Sequence, residues 1–223
     1  MKKFILTDET IEMFGVTLHR IQAVRSFGNV KEGDLGGFVE KEENISENLK
    51  AWVCGDAKVY GNAKVCGNAK VWGNAEVCGN AIVCSNAKVY GNAKVYGNAK
   101  VWGNAEVCGN AIVYGNAIVC GNAIVCDNAI VYGNAKVCGN AIVYGNAKVY
   151  GNAEVCGNAD YIVFKNWWSS GRYFTWTRSN NMWSVGCFYG TGEELIKKAY
   201  QDSEKSGSEY ERVVRFVESI LED

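Results

Sequence analysis

The chain has 223 residues, contains no proline, and carries a formal net charge of −1 at pH 7. So small a charge gives no bulk attraction to nucleic acid or to an acidic membrane surface. There is no signal peptide and no run of about 18 apolar residues, which predicts a soluble cytoplasmic protein without a membrane-spanning helix.

Residues 1–48 are predicted to cap the start of a long repetitive region. Two stretches carry this interpretation: Leu18-His19-Arg20-Ile21-Gln22-Ala23-Val24 and Gly33-Asp34-Leu35-Gly36-Gly37-Phe38-Val39-Glu40. They resemble the lead-in segment of a group of bacterial and phage hexapeptide-repeat proteins. That resemblance implies a bacterial host, including a phage-infected cell.

Residues 49–159 form a repeat with a period of six residues. From Gly55 to Cys156 the chain consists of seventeen unbroken copies of Gly-Asn-Ala-x-Val-x, and only Asp56, Ser85 and Asp127 depart from the Gly-Asn pair. Such a fixed period is typical of solenoid architectures. Counting back from the repeat in steps of six residues predicts that Val39, Ile45 and Ala51 occupy the position of the repeat's Ala. Degenerate coils are therefore expected to begin near Gly28.

The spacing inside the repeat predicts which side chains are buried. Ala and Val lie two residues apart, so in an extended segment both point to the same side. The residue before Val is Lys, Glu or Ile, and the residue after it is Tyr, Cys or Trp. We expect these variable residues to face outward. Gly-Asn suits a corner because both residues tolerate positive φ, and stacked Asn side chains can then hydrogen-bond along the axis.

The repeat resembles the hexapeptide-repeat, left-handed β-helix superfamily, in which three hexads make one triangular coil. The resemblance covers about 105 residues. It implies an all-β solenoid, a left-handed parallel β-helix of nearly six coils, roughly 28 Å long at about 4.8 Å per coil. The left hand comes from the resemblance alone, because parallel crossover connections are ordinarily right-handed.

Outward residues eighteen positions apart should form columns along the solenoid. One column contains tyrosines flanked by isoleucines, and a monomer rarely leaves such an apolar stripe in water. We therefore predict an oligomer interface, with a homotrimer as first choice because many left-handed β-helix proteins are trimers. The alternative is tyrosine stacking on an ordinary sheet surface. The predicted interface residues are Tyr96, Ile112, Tyr114, Ile130, Tyr132 and Tyr150.

Nine of the ten cysteines occupy the outward slot that Tyr and Trp also fill. A position that accepts Cys, Tyr and Trp alike requires a bulky side chain and not a disulfide partner, so we expect reduced thiols. Adjacent cysteines could bind a soft metal, but there is no CxxC motif and only one histidine. We therefore predict no metal and no cofactor.

Residues 160–223 predict a small βββαα module. Strands are expected at 160–166, 172–178 and 182–189, followed by two helices that begin at the capping boxes 191–194 and 208–211. The segment Gly186-Cys187-Phe188-Tyr189-Gly190-Thr191 resembles a tailpiece of other hexapeptide proteins, a resemblance that implies no activity.

The module combines many aromatic residues with a few cations, and two interpretations stay open. The aromatic side chains either build the core of a small domain or stack on the base of a nucleotide-like anion whose phosphate pairs with arginine. The candidate ligand-binding residues are Lys165, Trp167, Trp168, Arg172, Trp176 and Arg178.

The sequence does not predict an enzyme. Hexapeptide acyltransferases use a histidine base, and the related carbonic anhydrases use three histidine ligands. This chain has only His19, outside the regular coils. We expect a non-enzymatic oligomeric scaffold that captures a small anion; a sponge for nucleotide immune signals is an analogy with phage proteins. The alternatives are a polymer-forming β-solenoid and an acyltransferase relative without its base. Outward lysines are scattered over three faces, so no extended nucleic acid is expected as partner.

Overall fold

A computed structural model describes residues 2–221. The outermost residues of the predicted segments 1–48 and 160–223, at positions 1, 222 and 223, lie outside this range. No helix among the described residues is long and apolar enough to cross a membrane.

The repeat folds into a parallel β-solenoid, as predicted. Each hexad contributes one two-residue strand, made of the variable residue before Val and Val itself. The strands are β4 (Trp52–Val53), β5 (Lys58–Val59), β6 (Lys64–Val65), β7 (Lys70–Val71), β8 (Glu76–Val77), β9 (Ile82–Val83), β10 (Lys88–Val89), β11 (Lys94–Val95), β12 (Lys100–Val101), β13 (Glu106–Val107), β14 (Ile112–Val113), β15 (Ile118–Val119), β16 (Ile124–Val125), β17 (Ile130–Val131), β18 (Lys136–Val137), β19 (Ile142–Val143), β20 (Lys148–Val149) and β21 (Glu154–Val155).

Every third strand pairs in parallel, which gives three faces and eighteen residues per turn. The order on one face is β5-β8-β11-β14-β17-β20, and the other two faces run β4 to β19 and β6 to β21 in the same way. Every Ala and Val of the repeat is completely buried. The interior is therefore a thin column of stacked small side chains, and each turn is stabilised mainly by its two neighbours. The hand of the winding stays a prediction.

The corners explain why glycine recurs. Gly103, for example, has φ of +77°, and a Cβ there would lie 2.9 Å from both the N and O atoms of Gly121 on the next turn. Ser85 and Asp127 adopt the same conformation with φ of 62° and 59°. Asp127 offsets part of this strain because its Oδ2 accepts a hydrogen bond of 3.1 Å from Gly145 N. Each glycine corner thus permits close stacking of successive turns.

Asparagine side chains form the predicted ladders along the axis. Along most of the solenoid the Nδ2 of one Asn donates to the Oδ1 of the Asn one turn later, for example from Asn98 to Asn116 and from Asn116 to Asn134, both at 3.0 Å. The backbone N–H of each of these Asn residues also bonds to a glycine carbonyl of the next turn. Two sets of bonds therefore align the corners.

The N-terminal segment forms an antiparallel hairpin that extends one face of the solenoid. Its strands are β1 (Phe4–Met13) and β2 (Val16–Ala23), and β2 pairs with β3 (Leu35–Val39). A short 3-10 helix follows at Glu42–Asn44. The first face thus begins with three strands that the hexad period does not predict.

The predicted register of the first coils is wrong in part. Val39 pairs with Val59 and Ile45 bridges Val65, so both residues hold the Val slot and not the Ala slot. Ala51 keeps the predicted slot, because the neighbouring Trp52 pairs with Lys70, eighteen positions on. Two additional residues between positions 45 and 51, in a turn where Leu49 has φ of 60°, shift the phase.

Cysteine pairing also differs from the expectation of reduced thiols throughout. Cys138 and Cys156, on adjacent turns of one column, form a disulfide. In-register stacking is the physical reason, since it brings the two Cα atoms to 4.6 Å, within the range that a disulfide spans.

The C-terminal module contains four strands and two helices, not three strands and two helices. After a 3-10 helix at Asn158–Asp160, the elements are β22 (Tyr161–Lys165), β23 (Tyr173–Thr177), β24 (Met182–Val185), β25 (Phe188–Gly190), α1 (Gly192–Asp202) and α2 (Glu204–Ser219). The predicted third strand is split by Gly186, whose φ of +58° makes a tight turn. The sheet is antiparallel in the order β22-β23-β24-β25.

One of the two predicted helix starts is correct. Thr191 caps α1, and its reciprocal hydrogen bonds with Glu194 form the predicted capping box. The predicted start of α2 at Ser208 is wrong, because α2 is capped by Ser203, five residues earlier. Gly207 therefore lies inside α2, where the absence of a Cβ makes room for the Tyr200 ring of α1.

Candidate functional site

The aromatic residues of the C-terminal module mainly build its core. Phe174, Trp176 and Trp183 are buried on one face of the sheet. The apolar sides of α1 and α2 cover them, through residues such as Leu195 and Val214. The sheet and helices enclose this core on most sides and leave a cleft at one margin.

The cleft has a volume of about 410 Å³ and is lined mainly by polar side chains. This size lies within the range of small-ligand pockets. Three elements meet here: the 166–172 loop, the turn between β24 and β25, and the junction of α1 with α2. The polar lining residues include Asn166, Ser169, Arg172, Lys198, Asp202, Ser206 and Tyr210.

Asn166 holds the loop and the helices together. Its side chain is buried, and its Nδ2 donates to the Tyr210 hydroxyl of α2 at 3.0 Å. Its Oδ1 accepts from Ser169 N at 2.9 Å. The backbone N–H of Asn166 donates to the Arg172 carbonyl at 2.8 Å, closing the loop. The loop is thereby fixed at the cleft wall, which presents Arg172 in a defined position.

Arg172 is the principal cation of the cleft. Gly186 leaves space for it, since a Cβ at position 186 would lie 3.2 Å from Arg172 Nη1. Arg172 makes no salt bridge with a residue in the described range. Burial raises the pKa of Tyr210, against the opposing effects of the Asn166 hydrogen bond and the Arg172 charge. The positive charge of Arg172 thus influences the Tyr210 hydroxyl, which lines the cleft.

The helix junction adds donors and one opposing charge. Lys198 lies on α1, and Ser206 lies in the first turn of α2. Backbone N–H groups at a helix N-terminus favour an anion, although the Ser203 Oγ already accepts from Ser206 N at 3.1 Å. Asp202 also lines the cleft, so one carboxylate offsets one of the two cations, Arg172 and Lys198.

Only one of the six predicted ligand-binding residues lines this cleft, namely Arg172. Trp176 does not line it, because its ring is in the core and its Nε1 donates to Asn181 Oδ1 at 2.8 Å. Trp168 is partly buried, with its ring centroid 5.0 Å from that of Tyr210. Its Nε1 is buried and has no hydrogen-bond acceptor among residues 2–221.

The other three predicted residues are dispersed. Lys165 places its Nζ 5.6 Å from the Tyr173 ring centroid, and Trp167 is 74% exposed. Arg178 follows β23 at the end opposite Arg172, so about 20 Å of extended strand separates the two arginines. The structure therefore does not bring the predicted set together.

The cleft also contains residues that no sequence pattern predicts, namely Lys198, Ser206 and the Tyr210 hydroxyl. Tyr210 lies on α2, and its ring belongs to the core of the module. Its neighbour in the cleft, Asn166, lies 44 residues away. No local pattern signals such a pair, because the fold of the helices onto the sheet creates it.

The predicted interface column is a continuous aromatic stack. Ring centroids of Tyr96 and Tyr114 are 5.0 Å apart, and those of Tyr114 and Tyr132 are 4.1 Å apart, both nearly parallel. Tyr150 continues the stack edge to face, and Tyr189 of the module extends it at 6.2 Å. Ile112 and Ile130 are paired neighbours beside it and partly exposed. The stripe therefore runs from the solenoid onto the module.

A second cleft, of about 530 Å³, lies at the N-terminal end beside Phe27, Trp52, Lys50 and Lys70. Its rings meet edge to face at 5.4 Å. The described residues contain no group of three His, Cys, Asp or Glu side chains suited to a metal ion. His19 lies in the hairpin, with Nδ1 3.2 Å from Thr7 O.

Comparison with known proteins bears on the solenoid alone. The family model described as the YdcK β-solenoid repeat matches residues 105–121 and 135–151. A search of curated proteins finds no match to this chain. The chain is thus similar to YdcK-type β-solenoids within its coils, and this similarity does not extend to the C-terminal cleft.

Proposed function

We propose that the protein is a non-enzymatic, oligomeric scaffold that captures a small anionic, nucleotide-like ligand in the C-terminal cleft. The solenoid serves as a rigid spacer and oligomerisation stem, and three copies of the module are presented by a homotrimer. It acts in the cytoplasm of a bacterium, including a phage-infected one.

One observation carries the ligand proposal: Arg172 lines a cleft of ligand size and forms no salt bridge within the described chain, although the Asp202 carboxylate lines the same cleft. A guanidinium pairs with phosphate oxygens in a bidentate fashion. Lys198, Ser170 and Ser206 line the same cleft and supply further donors. Tyr210 also lines the cleft, and its ring offers an aromatic surface for a base near the phosphate.

The test is a thermal-unfolding screen with inorganic phosphate, AMP, a cyclic dinucleotide and uncharged adenosine. A ligand at 100 times its Kd adds about 2.7 kcal/mol to the free energy of unfolding. In a chain of this size that corresponds to a Tm increase of about 5–10 °C. We expect an increase with at least one of the anions and none with adenosine.

The matched variants are Arg172→Ala and Arg178→Ala, which remove the same charge at opposite ends of β23. Loss of a charge-assisted hydrogen bond weakens binding by about 10- to 100-fold. We expect this loss for Arg172→Ala and wild-type affinity for Arg178→Ala. If no anion raises Tm, or if both variants bind equally, the ligand proposal is wrong.

Two other functions have less support. A polymer-forming solenoid needs free ends, and here the hairpin extends one end while the module covers the other. An acyltransferase needs a base in its cleft, and His19 is bonded within the hairpin, in a different part of the fold from the C-terminal cleft.

A further inference from the structure

Cysteines recur at equivalent positions on adjacent turns. The column that contains the Cys138–Cys156 disulfide also contains Cys120, one turn earlier. Cys120 N donates to Val137 O at 2.9 Å, and Cys138 N donates to Val155 O at 2.9 Å. The backbone relation between Cys120 and Cys138 is therefore the same as the relation between the two bonded residues.

Two further pairs repeat this geometry. Cys66 N donates to Val83 O at 2.9 Å, which places Cys66 beside Cys84, and Cys108 N donates to Val125 O at 2.9 Å, beside Cys126. The thiols influence each other: burial and then the Cys84 thiol raise the pKa of Cys66 to about 11. The Cys126 thiol responds to burial and to Cys108 in the same direction.

We propose that these stacked cysteines are redox-reactive pairs, and that Cys120, Cys138 and Cys156 form a three-sulfur column along which one disulfide can move. The two smaller pairs, Cys66 with Cys84 and Cys108 with Cys126, form cross-turn disulfides when an oxidant is present. The outward Cys slot is thus a modification site on the solenoid surface.

The chemistry is ordinary thiol–disulfide exchange. The Cys120 thiolate attacks Cys138 Sγ, a Cys120–Cys138 bond forms, and the Cys138–Cys156 bond breaks. Cys156 leaves as a thiolate and takes up the proton that Cys120 lost, so no electrons are gained or lost overall. The first disulfide requires a small-molecule disulfide as oxidant, such as oxidised glutathione, which is reduced to two thiols.

The arrangement of the three cysteines along the solenoid axis favours this exchange. Attack on a disulfide proceeds along the line of the sulfur–sulfur bond, and the three cysteines occupy equivalent positions on successive turns along the axis. Cys120 is only partly exposed, and burial raises the pKa of its thiol, against the opposing charge of Lys136. Exchange should therefore accelerate with increasing pH, because the thiolate is the attacking species.

The test uses the full-length protein equilibrated with oxidised and reduced glutathione, alkylated, denatured and digested with trypsin. Cleavage after lysine separates the three cysteines into peptides 101–136, 137–148 and 149–165. A link from 137–148 to 149–165 reports Cys138–Cys156. A link from 137–148 to 101–136 is the mark of the exchanged form, and because 101–136 also contains Cys108 and Cys126 its assignment to Cys120 rests on the Cys120→Ser variant.

The deciding variant is Cys156→Ser. We expect Cys138 to be linked to peptide 101–136 in that variant, and this link to disappear in the double variant with Cys120→Ser. If Cys138 is instead alkylated in Cys156→Ser, Cys120 and Cys138 do not form the second position of the disulfide and the proposal is overturned. Ser at position 156 should fold, because the slot already accepts Tyr, Trp and Cys.

Cys78→Ser is the matched control. Cys78 occupies the same slot, but its column neighbours are Tyr60 and Tyr96, which cannot form a disulfide. We expect its substitution to leave all other links unchanged, and the link between peptides 65–70 and 71–88 then reports Cys66–Cys84. Links that join Cys54, Cys78 or Cys187 to these columns would show random oxidation and would refute the proposal.

Discussion

At the scale of single residues, the least expected feature is the buried lysine of the N-terminal cap. Lys3 is completely buried, its Nζ donates to Ala51 O at 2.9 Å, and the ammonium group lies 5.1 Å from the Phe27 ring centroid. Burial lowers the pKa of Lys3 from 10.5 to about 8, more than the nearby Glu47 carboxylate raises it. The folded state therefore holds this proton less tightly than the unfolded chain does.

This lysine predicts a specific pH dependence of stability. The cost of burying the charge is fully present below pH 8 and is relieved as the pH rises from about 8 to 10.5. The free energy of unfolding of the wild type should rise over that interval, relative to Lys3→Met, by up to about 3 kcal/mol. Denaturant unfolding at several pH values measures the difference.

The control is Lys2→Met, which removes a half-exposed lysine that pairs with Glu42. Its stability should parallel that of the wild type across the same interval. A constant difference between the wild type and Lys3→Met from pH 8 to 10.5 would contradict the assigned pKa.

At the scale of elements, the module closes the exposed end of the solenoid by side-chain hydrogen bonds. The last turn has three strand N–H groups that point past the stack. Ile142 N donates to Asn158 Oδ1, Lys148 N to Thr175 Oγ1 and Glu154 N to Ser179 Oγ, at 2.8, 2.9 and 2.7 Å. Each face thus receives one acceptor, which partly satisfies the strand edges that would otherwise invite aggregation.

The cap predicts a cost for removing a single hydroxyl. Thr175 is buried, so Thr175→Val keeps the shape but leaves Lys148 N–H without its partner. An unsatisfied buried donor costs about 1–3 kcal/mol. We expect a corresponding decrease of Tm by thermal unfolding and faster hydrogen exchange at the Lys148 amide.

Ser184→Ala provides the comparison, because Ser184 lies opposite Thr175 in the sheet. Its Oγ is buried and has no partner in the described chain. Removal of that hydroxyl should be neutral or slightly stabilising. Equal destabilisation by both substitutions would mean that the Thr175 bond does not hold the cap.

At the scale of the whole molecule, the tyrosine stripe distinguishes one face from the other two. Tyr132 is 41% exposed although its ring stacks on Tyr114. The same face is the longest, since hairpin strands β1 and β2 extend its sheet. A long aromatic surface of this kind favours lateral association of parallel solenoids over contacts between their ends.

The proposed trimer therefore depends on this stripe. Light scattering should give three times the chain mass of 24.4 kDa for the wild type. Tyr114→Lys introduces a charge in the middle of the stack and should reduce the mass to that of one chain. Tyr144→Lys, at the same slot on another face, should leave the trimer intact. A trimeric Tyr114→Lys variant, or filaments of the wild type, would exclude this interface.

The hexad predicts the solenoid because interactions within six residues are enough to determine its strands and corners. Ala and Val alternate with outward residues, and Gly-Asn tolerates the corner conformation, so a six-residue pattern decides strand, corner and core. The buried Ala and Val columns and the Asn ladders follow directly. The same reasoning failed at Val39 and Ile45, where two additional residues change the phase without any signal in the period.

Only the tertiary structure decided the rest, because it depends on contacts between distant residues. Composition could not tell whether Trp176 binds a ligand or fills the core, and the packing of α1 and α2 on the sheet buries it. The same packing assembles the cleft around Arg172 and Tyr210, and stacking at 4.6 Å pairs Cys138 with Cys156. The repeat thus determines the solenoid through local backbone geometry. The C-terminal cleft arises instead from packing between residues that are far apart in the sequence.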